Sequence, residues 1–318
     1  MSRSTYEMSK HQQFINADVS PLEIVYLITG KCNFNCDFCA FKDANKFKDM
    51  PIENTVKFVE DLKNYLSEHP TEKFFVNVIG GEPFINMSKF EEHFNILNQL
   101  RECYPDNIEL GVYTNGVFAL TDDLLQRAIA LNIDTYYISC SKAHFMYGNY
   151  KYLPNILKAD FGKTHLEFNV IDPWDTVPMY TKALLELGVS QEDIDFVFNS
   201  SSTSNTRSCI SLCTEQEVLD FYKEAEHYIE ECMYKPFGIF ITNGVTYTAC
   251  GGEGRFPWCE LPTDLSQAIS YAKQMYIKVD QYLKPDCLLT CKHFQQKGYC
   301  CYDRKHISID KDFNITER

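Results

Sequence analysis

The sequence predicts an α/β protein, a partial (β/α)6 barrel followed by a small cysteine-rich α+β module. From residue 22 to about residue 200, short apolar runs alternate with stretches of helical periodicity. Several runs are continuously apolar and rich in Val, Ile, Phe and Tyr, which is typical of parallel strands buried on both faces. The pattern changes beyond this region. We therefore expect an N-terminal segment (residues 1–21), the barrel (22–204) and a C-terminal module (205–318).

Candidate strands and helices alternate along the predicted barrel. The strands are expected at residues 24–28, 74–79, 108–113, 135–139, 165–171 and 194–199. The helices are expected at residues 54–68, 87–103, 121–131 and 176–187, where apolar residues recur at three- and four-residue steps. A partial barrel is the simplest arrangement of six such β–α units. Ligands of these sheets lie at the C-terminal ends of the strands, so we expect the functional site there.

Charge and cysteine content narrow the classes of function. The net charge of −14 would repel a phosphate backbone, so we expect no nucleic-acid partner. The polar N-terminus lacks the apolar run of a signal peptide or a membrane span, so we expect no membrane partner and a cytoplasmic location. Disulfides are rare in the reducing cytosol, so the 14 cysteines indicate metal or catalytic roles. Two of them, Cys103 and Cys140, are expected as small core residues.

Three cysteines follow the first predicted strand with the spacing Cys-x3-Cys-x2-Cys, namely Cys32, Cys36 and Cys39. Three thiolates in one loop can bind three irons of a 4Fe–4S cluster and leave the fourth iron open. The amino and carboxylate groups of S-adenosylmethionine (SAM) can chelate such an iron. A zinc site would require a fourth Cys or His close by, and chance spacing of structural cysteines is the remaining alternative. The position directly after a barrel strand favours the cluster.

This loop resembles the signature of the radical SAM superfamily, Cys-x3-Cys-x-aromatic-Cys, with Phe38 as the aromatic residue. Two further segments agree with the resemblance. Gly-Gly-Glu-Pro (residues 80–83) follows the second strand, where the family contacts the methionyl amine of SAM, and Thr-Asn-Gly (residues 114–116) follows the third. Glycine allows close backbone approach, and a glutamate can accept from an ammonium group. The resemblance implies SAM contacts from Gly80, Gly81, Glu82, Pro83, Thr114 and Asn115.

The resemblance implies further SAM contacts on later strands. Ser139 ends the fourth strand, where relatives often place Ser-x-Asp near the ribose, and here the acidic residue is missing. Asn169 in the fifth strand is expected to contact the ribose or the carboxylate. Relatives often hold the SAM carboxylate with Arg-Gly, but this chain has Tyr147-Gly148. Lys142 or His144 could substitute, although both are expected in an ordinary loop.

The region beyond residue 200 contains nine cysteines and a hairpin signal at Asn-Gly (residues 243–244). This arrangement resembles the twitch or SPASM extension, which holds an auxiliary 4Fe–4S cluster. The resemblance implies one second cluster, bound by Cys232, Cys250, Cys287 and Cys291. Cys300 or Cys301 could replace one of these ligands. A zinc site on the same thiolates, or buried thiols without metal, are the alternatives.

The resemblance implies a radical SAM oxidoreductase. Such an enzyme cleaves SAM reductively to a 5′-deoxyadenosyl radical, which abstracts a hydrogen from the substrate, and it needs a one-electron donor such as a flavodoxin or ferredoxin. Oxidative modification of a peptide or protein side chain is our first expectation. A dehydrogenase or epimerase acting on a small-molecule biosynthetic intermediate is the second. A non-catalytic iron–sulfur or zinc-binding protein is the alternative of another class, and the segments at residues 80–83 and 114–116 argue against it.

Overall fold

The structure is a computed structural model. It describes residues 22–36, 39, 48–172, 177–190, 193–198, 238–242, 245–249, 259–260, 264–280, 307–309 and 315–317.

The barrel strands occur in chain order and pair in parallel with their neighbours. They are β1 (Leu22–Thr29), β2 (Phe74–Gly80), β3 (Ile108–Thr114), β4 (Thr135–Ser139), β5 (His165–Asp172) and β6 (Ile194–Phe198). The helices between them are α1 (Ile52–Glu68), α2 (Met87–Cys103), α3 (Asp122–Ala130), α4 (Lys142–Tyr147), α5 (Leu153–Lys158) and α6 (Val177–Glu186). All six predicted strands and all four predicted helices are therefore confirmed.

Two short helices, α4 and α5, were not expected. Lys142 and His144 lie in α4, so their prediction as loop residues is wrong. Helix α4 begins with a capping box, in which the Ser141 side chain accepts from the backbone N–H of His144 and the His144 ring accepts from the backbone N–H of Ser141. It ends at Gly148, whose φ of 93° lies in the left-handed region that glycine favours. These caps define a helix too short to show an apolar period.

The apolar core lies between the sheet and the helices, because alternate strand residues point to that side. On β1 these are Ile24, Tyr26 and Ile28, which are almost fully buried. They belong to one cluster with buried side chains of the other strands and of the helices, including Leu62, Val76, Phe90, Phe94, Leu110 and Phe168. Each such side chain contributes about 1.5–3 kcal/mol through burial. This core makes the sheet a rigid platform for the loops at its C-terminal edge.

The opposite face of the same strands, which we call the lumen face, carries polar and acidic residues among apolar ones. Glu23, Asn77, Glu109 and Glu167 occupy it on β1, β2, β3 and β5, together with Tyr137 on β4. Burial, together with the charges of neighbouring groups that include Glu167 and Glu23, raises the pKa of Tyr137. Residues of separate strands therefore share this face of the sheet.

The predicted hairpin is confirmed and continues the barrel sheet. Strands β7 (Gly238–Thr242) and β8 (Val245–Ala249) are antiparallel, and β9 (Cys259–Glu260) follows β8. Strand β7 pairs in parallel with β1, so the sheet order is β6-β5-β4-β3-β2-β1-β7-β8-β9. Helix α7 (Leu265–Asp280) lies beside α1, and Lys273 of α7 forms an ion pair with Glu72, which follows α1 in the chain. The predicted domain boundary between residues 204 and 205 lies outside the described residues.

Smaller features complete the described fold. A separate two-stranded antiparallel sheet consists of β10 (Ile307–Ile309) and β11 (Ile315–Glu317). Among the described helices, none combines the length and the apolar character needed to cross a membrane. Cys140 is buried, as predicted, but Cys103 is exposed, so its prediction as a core residue is wrong. Cys103 is the last residue of α2.

Candidate functional site

The three predicted cluster ligands lie in one loop at the C-terminal end of β1. Cys32 is exposed, Cys36 is buried and Cys39 is partly buried. The backbone N–H of Cys39 donates to the carbonyl of Cys36 (3.1 Å), and that of Phe34 donates to Cys32 Sγ (3.3 Å). Surrounding protein atoms hinder hydration of the Cys32 thiolate, and the charges of Glu82 and Cys39 add to this effect, which raises its pKa to about 11. In the metal-free chain the Cys32 thiol is therefore expected to be protonated near neutral pH.

The end of β2 is joined to the cysteine loop through the backbone. The N–H groups of Gly81 and Glu82 donate to the carbonyls of Thr29 and Lys31, each at 2.8 Å. A Cβ on Gly80 would lie 2.4 Å from the carbonyl oxygen of Thr29, and one on Gly81 would lie 2.3 Å from that of Lys31. Real Cβ atoms do not approach backbone so closely, so both positions require glycine. The packing of the chain itself therefore requires glycine at these two positions, whether or not a ligand is bound.

Glu82 joins the β2 end to the β3 end. Its side chain is 0% exposed and accepts hydrogen bonds from Thr114 Oγ1 (2.8 Å) and the backbone N–H groups of Asn115 (2.7 Å) and Phe84 (3.1 Å). Burial raises the pKa of Glu82 to about 7, although these hydrogen bonds favour the ionised form. Buried Pro83 follows as the first residue of a 3-10 helix. The carboxyl group thus holds two predicted SAM-binding segments together.

Asn115 completes the connection from β3 back to the cysteine loop. Its Nδ2 donates to Asn33 Oδ1 (2.9 Å) and lies 3.8 Å from Cys32 Sγ, within hydrogen-bonding distance for sulfur. Its Oδ1 accepts from the backbone N–H of Val117 (3.1 Å), which fixes the orientation of the amide. The three predicted elements of the site, namely the cysteine loop, residues 80–83 and residues 114–116, are therefore brought together.

Asp49 closes the base of the loop. Its carboxylate accepts from Thr29 Oγ1 (2.6 Å) and from Lys31 Nζ (2.8 Å), and Lys89 Nζ lies 3.4 Å away. Partial burial acts to raise the pKa of Asp49, but the hydrogen bonds from Lys31 and Thr29 and the charge of Lys89 outweigh it and lower the pKa to about 2. The backbone N–H of Met50 also donates to the carbonyl of Ile28 (2.8 Å). Both ends of the loop are thus tied to β1.

On the opposite side, the cysteine loop contacts α4. The ring of Phe34 stacks on the ring of Tyr147, with centroids 5.1 Å apart and an interplanar angle of 18°. The hydroxyl of Tyr147 donates to the carbonyl of Asn35 (2.6 Å). His144 is buried, which lowers its pKa to about 4, and its ring centroid lies 6.1 Å from that of Phe34. Tyr147, which occupies the place of the arginine in the Arg-Gly pair of relatives, therefore contacts the segment between Cys32 and Cys36.

Ser139 and Asn169 are register partners on β4 and β5, and both lie on the lumen face. Within the described part of the chain, the buried Asn169 Oδ1 has no hydrogen-bond partner. The same is true of Oδ1 of Asn149, a buried residue whose Nδ2 donates to the carbonyl of Ser139 (2.7 Å). Unpaired acceptors at the strand ends fit a ligand with donor groups, such as the ribose hydroxyls of SAM. Asn149 was missed by sequence reasoning, which had no helix α4 from which to place it.

The lumen face holds acidic residues that sequence reasoning also missed. Asn77 Nδ2 donates to Glu23 Oε1 (2.7 Å), and Thr135 Oγ1 donates to Glu109 Oε1 (2.7 Å). Burial raises the pKa of Glu23. A Cβ on Gly111 would lie 2.2 Å from Asn77 Oδ1, so glycine leaves the space that this amide fills. The available signal was a glutamate within each of three strands that are otherwise largely apolar, β1, β3 and β5.

The predicted ligands of a second cluster, Cys232, Cys250, Cys287 and Cys291, lie outside the described residues. So do Cys300 and Cys301. Within the described ranges, no group of three or more His, Cys, Asp or Glu side chains is arranged to hold a single metal ion. A 4Fe–4S cluster does not require its cysteines to converge on one metal ion, because each cysteine binds a different iron.

Comparison with known proteins agrees with this geometry. Residues 26–144 match the family model of the radical SAM superfamily, and they contain the cysteine loop and both segments joined by Glu82. This part of the chain therefore carries a radical SAM domain. The family implies a 4Fe–4S cluster and SAM as cofactors, and an enzyme that uses SAM radical chemistry. Among curated protein sequences, none is similar enough to be matched.

Solved structures of anSMEcpe are similar to this chain over most of its length. The structure with bound AdoMet shares 16% sequence identity and has a TM-score of 0.56, covering 89% of this chain and 90% of its own. The structure with bound AdoMet and Cp18Cys peptide shares 16% identity with the same TM-score of 0.56, and 89% of each chain is covered. At this level of identity the likeness concerns the fold, and it confirms the predicted partial barrel.

Proposed function

We propose that this radical SAM chain binds its 4Fe–4S cluster through Cys32, Cys36 and Cys39 and oxidatively modifies a peptide or protein side chain. The observation that carries the first part is the joining of the cysteine loop to the ends of β2 and β3. Gly81, Glu82 and Asn115 hold the loop at the strand edge where ligands of parallel sheets bind. The cluster would therefore face the lumen edge of the sheet.

Different residues around the loop would bind different parts of SAM. The strand-end segments at residues 80–83 and 114–116 would hold the methionyl part beside the cluster. Asn169, with Asn149 behind it, would supply acceptors for the ribose, and Ser139 lies between them. When bound, the reduced cluster supplies one electron to SAM, whose cleavage yields methionine and a 5′-deoxyadenosyl radical. The buried core behind the strands keeps these groups in fixed positions.

A peptide substrate is supported by the structural neighbours. Two anSMEcpe structures contain a bound peptide, named Cp18Cys and Kp18Cys, and the second shares 14% identity at a TM-score of 0.56. A dehydrogenase or epimerase of a small-molecule intermediate is the second candidate. A flavodoxin or ferredoxin would supply the electron. The hairpin β7–β8 stands where the SPASM resemblance requires one, and Cys232 and Cys250 flank it in sequence, which supports a second cluster on these two cysteines with Cys287 and Cys291.

The test of SAM cleavage uses anaerobically reconstituted protein reduced with dithionite. We expect 5′-deoxyadenosine to form from SAM, detected by liquid chromatography and mass spectrometry. Cys36→Ala should abolish this product. Cys103→Ala is the matched control, because Cys103 is an exposed cysteine of the same domain outside the loop, and it should retain wild-type activity. Equal product from Cys36→Ala and wild type would contradict the assignment.

The second cluster is tested by counting iron and sulfide in a Cys32/Cys36/Cys39→Ala triple variant after the same reconstitution. About four irons and four sulfides per chain would support one auxiliary cluster and an oxidative reaction, because a substrate radical would have a nearby electron acceptor. Iron near zero would contradict the auxiliary cluster and favour redox-neutral chemistry such as epimerisation.

A further inference from the structure

Tyr147 makes two contacts with the cysteine loop that no feature of the family signature explains. Its ring stacks on Phe34, and its hydroxyl donates to the carbonyl of Asn35 at 2.6 Å. Both partners lie between Cys32 and Cys36, and they are more than 100 residues away from Tyr147 in the chain. A single side chain thus holds the tip of the loop through one apolar and one polar contact.

The helix that carries Tyr147 is itself firmly held. The capping box of Ser141 and His144 fixes the start of α4, and the left-handed Gly148 ends it directly after Tyr147. The next residue, Asn149, is buried and donates to the carbonyl of Ser139 at the end of β4. Tyr147 is therefore presented from a rigid support, and the loop is the more adaptable partner in the contact.

The position of Tyr147 suits control of the loop better than stability of the core. Its side chain is 46% exposed, so its burial contributes little to the apolar core. Cys36, by contrast, is only 6% exposed and lies one residue after the carbonyl that Tyr147 holds. Release of this carbonyl would let the segment between the two cysteines move away from α4, which would uncover Cys36.

We propose that Tyr147 is a positioning residue that clamps the segment between Cys32 and Cys36 against α4 and so sets the geometry of the cluster-binding loop. This inference rests on the proposed function for its consequence in the cofactor-loaded enzyme. The clamp itself is a property of the metal-free chain. Its failure can therefore be distinguished from failure of the proposed cluster site.

The first experiment measures the clamp without any cofactor. Metal-free protein is treated with a thiol-labelling reagent, and the rate at Cys36 is followed by peptide mapping. Tyr147→Phe keeps the stacked ring and loses one hydrogen bond, so labelling should be roughly threefold to tenfold faster. Tyr147→Ala loses both contacts and should be faster still. Tyr150→Phe is the matched control, because Tyr150 is also 46% exposed and lies three residues further on, and its rate should equal that of wild type.

The second experiment asks whether the clamp acts on the cluster. Reconstituted proteins are compared by EPR in the reduced state and by the rate of iron release to a chelator. We expect Tyr147→Ala to alter the EPR signal and speed iron release, Tyr147→Phe to fall between it and wild type, and Tyr150→Phe to match wild type. Unchanged labelling of Cys36 in Tyr147→Ala would overturn the clamp. Faster labelling with an unchanged EPR signal and iron release would overturn its role in cluster geometry.

Discussion

The cysteine loop is attached on two sides that differ in chemistry. Towards β2 and β3 it is held by backbone hydrogen bonds to Gly81 and Glu82 and by the amide of Asn115, around a carboxyl group that is fully buried. Towards α4 it is held by the half-exposed Tyr147. On the buried side, Gly80 and Gly81 leave no room for substitution, because even one methyl group would meet backbone. The exposed side can be altered without disturbing the core.

The two attachments are therefore expected to control different properties of the loop, namely its position and its shape. The buried attachment fixes where the loop begins and which strand ends it meets, and its loss should reduce the stability of the whole domain. The exposed attachment fixes the shape of the loop between two cysteines, and its loss should change the cysteines while the fold persists. The following predictions challenge this division, from the largest expected effect to the smallest.

Gly81→Ala should have the largest effect. The added Cβ would lie 2.3 Å from the carbonyl oxygen of Lys31, so the β2 end and the cysteine loop must separate. We expect a loss of about 3 kcal/mol or more in the free energy of unfolding, measured by urea denaturation. Gly162→Ala is the control, because Gly162 has a positive φ of 63° but no atom within 4 Å of the added Cβ. Equal losses in the two variants would contradict the effect of close approach at Gly81.

Glu82→Gln should change the pH dependence of stability. The pKa of Glu82 is raised to about 7 by burial, so between pH 4.5 and 7 the folded state retains a proton that the unfolded chain has lost. Stability from this group is therefore present at low pH and decreases as the pH rises through this window, by about 3 kcal/mol in total. The neutral glutamine variant should lack this decrease, apart from a constant loss from its altered hydrogen bonds. Parallel stability curves for variant and wild type from pH 4.5 to 7 would refute the assignment.

Asn115→Ala should have a smaller effect. It removes the hydrogen bond to Asn33 and the weak contact with Cys32, together with the bond from the N–H of Val117. We expect a loss of about 1–2 kcal/mol in the free energy of unfolding. It should also accelerate labelling of the exposed Cys32 less than Tyr147→Ala accelerates labelling of the buried Cys36. The reverse order would show that the two attachments do not act as described.

Much of the fold could be predicted from local sequence. Buried parallel strands are continuously apolar on the side that packs against helices, and the long helices α1 and α2 show a clear apolar period. The three cysteines are close in sequence, so their spacing alone brings them together in one loop. The hairpin around Asn-Gly at residues 243–244 depends only on the conformations that these two residues tolerate.

The parts that could not be predicted depend on contacts between distant residues. The polar residues of the lumen face were not predicted. A single glutamate in an apolar strand does not indicate that strand pairing brings several such residues to the same face of the sheet. Helix α4 has only six residues, too few for an apolar period, and its local signs were the capping pair Ser141 and His144 and the terminal Gly148. The contact of Tyr147 with Phe34 and the complete burial of Glu82 result from tertiary packing, which residue identity alone does not specify.

The most direct test of the central claim is the EPR spectrum of the reduced, reconstituted protein before and after addition of SAM. A cluster held by Cys32, Cys36 and Cys39 has one iron without a protein ligand, so SAM should change the spectrum. The change should persist in Cys103→Ala and disappear, together with the signal of this cluster, in Cys36→Ala. A wild-type spectrum that is the same with and without SAM would contradict an open iron on this loop, and with it the proposed function.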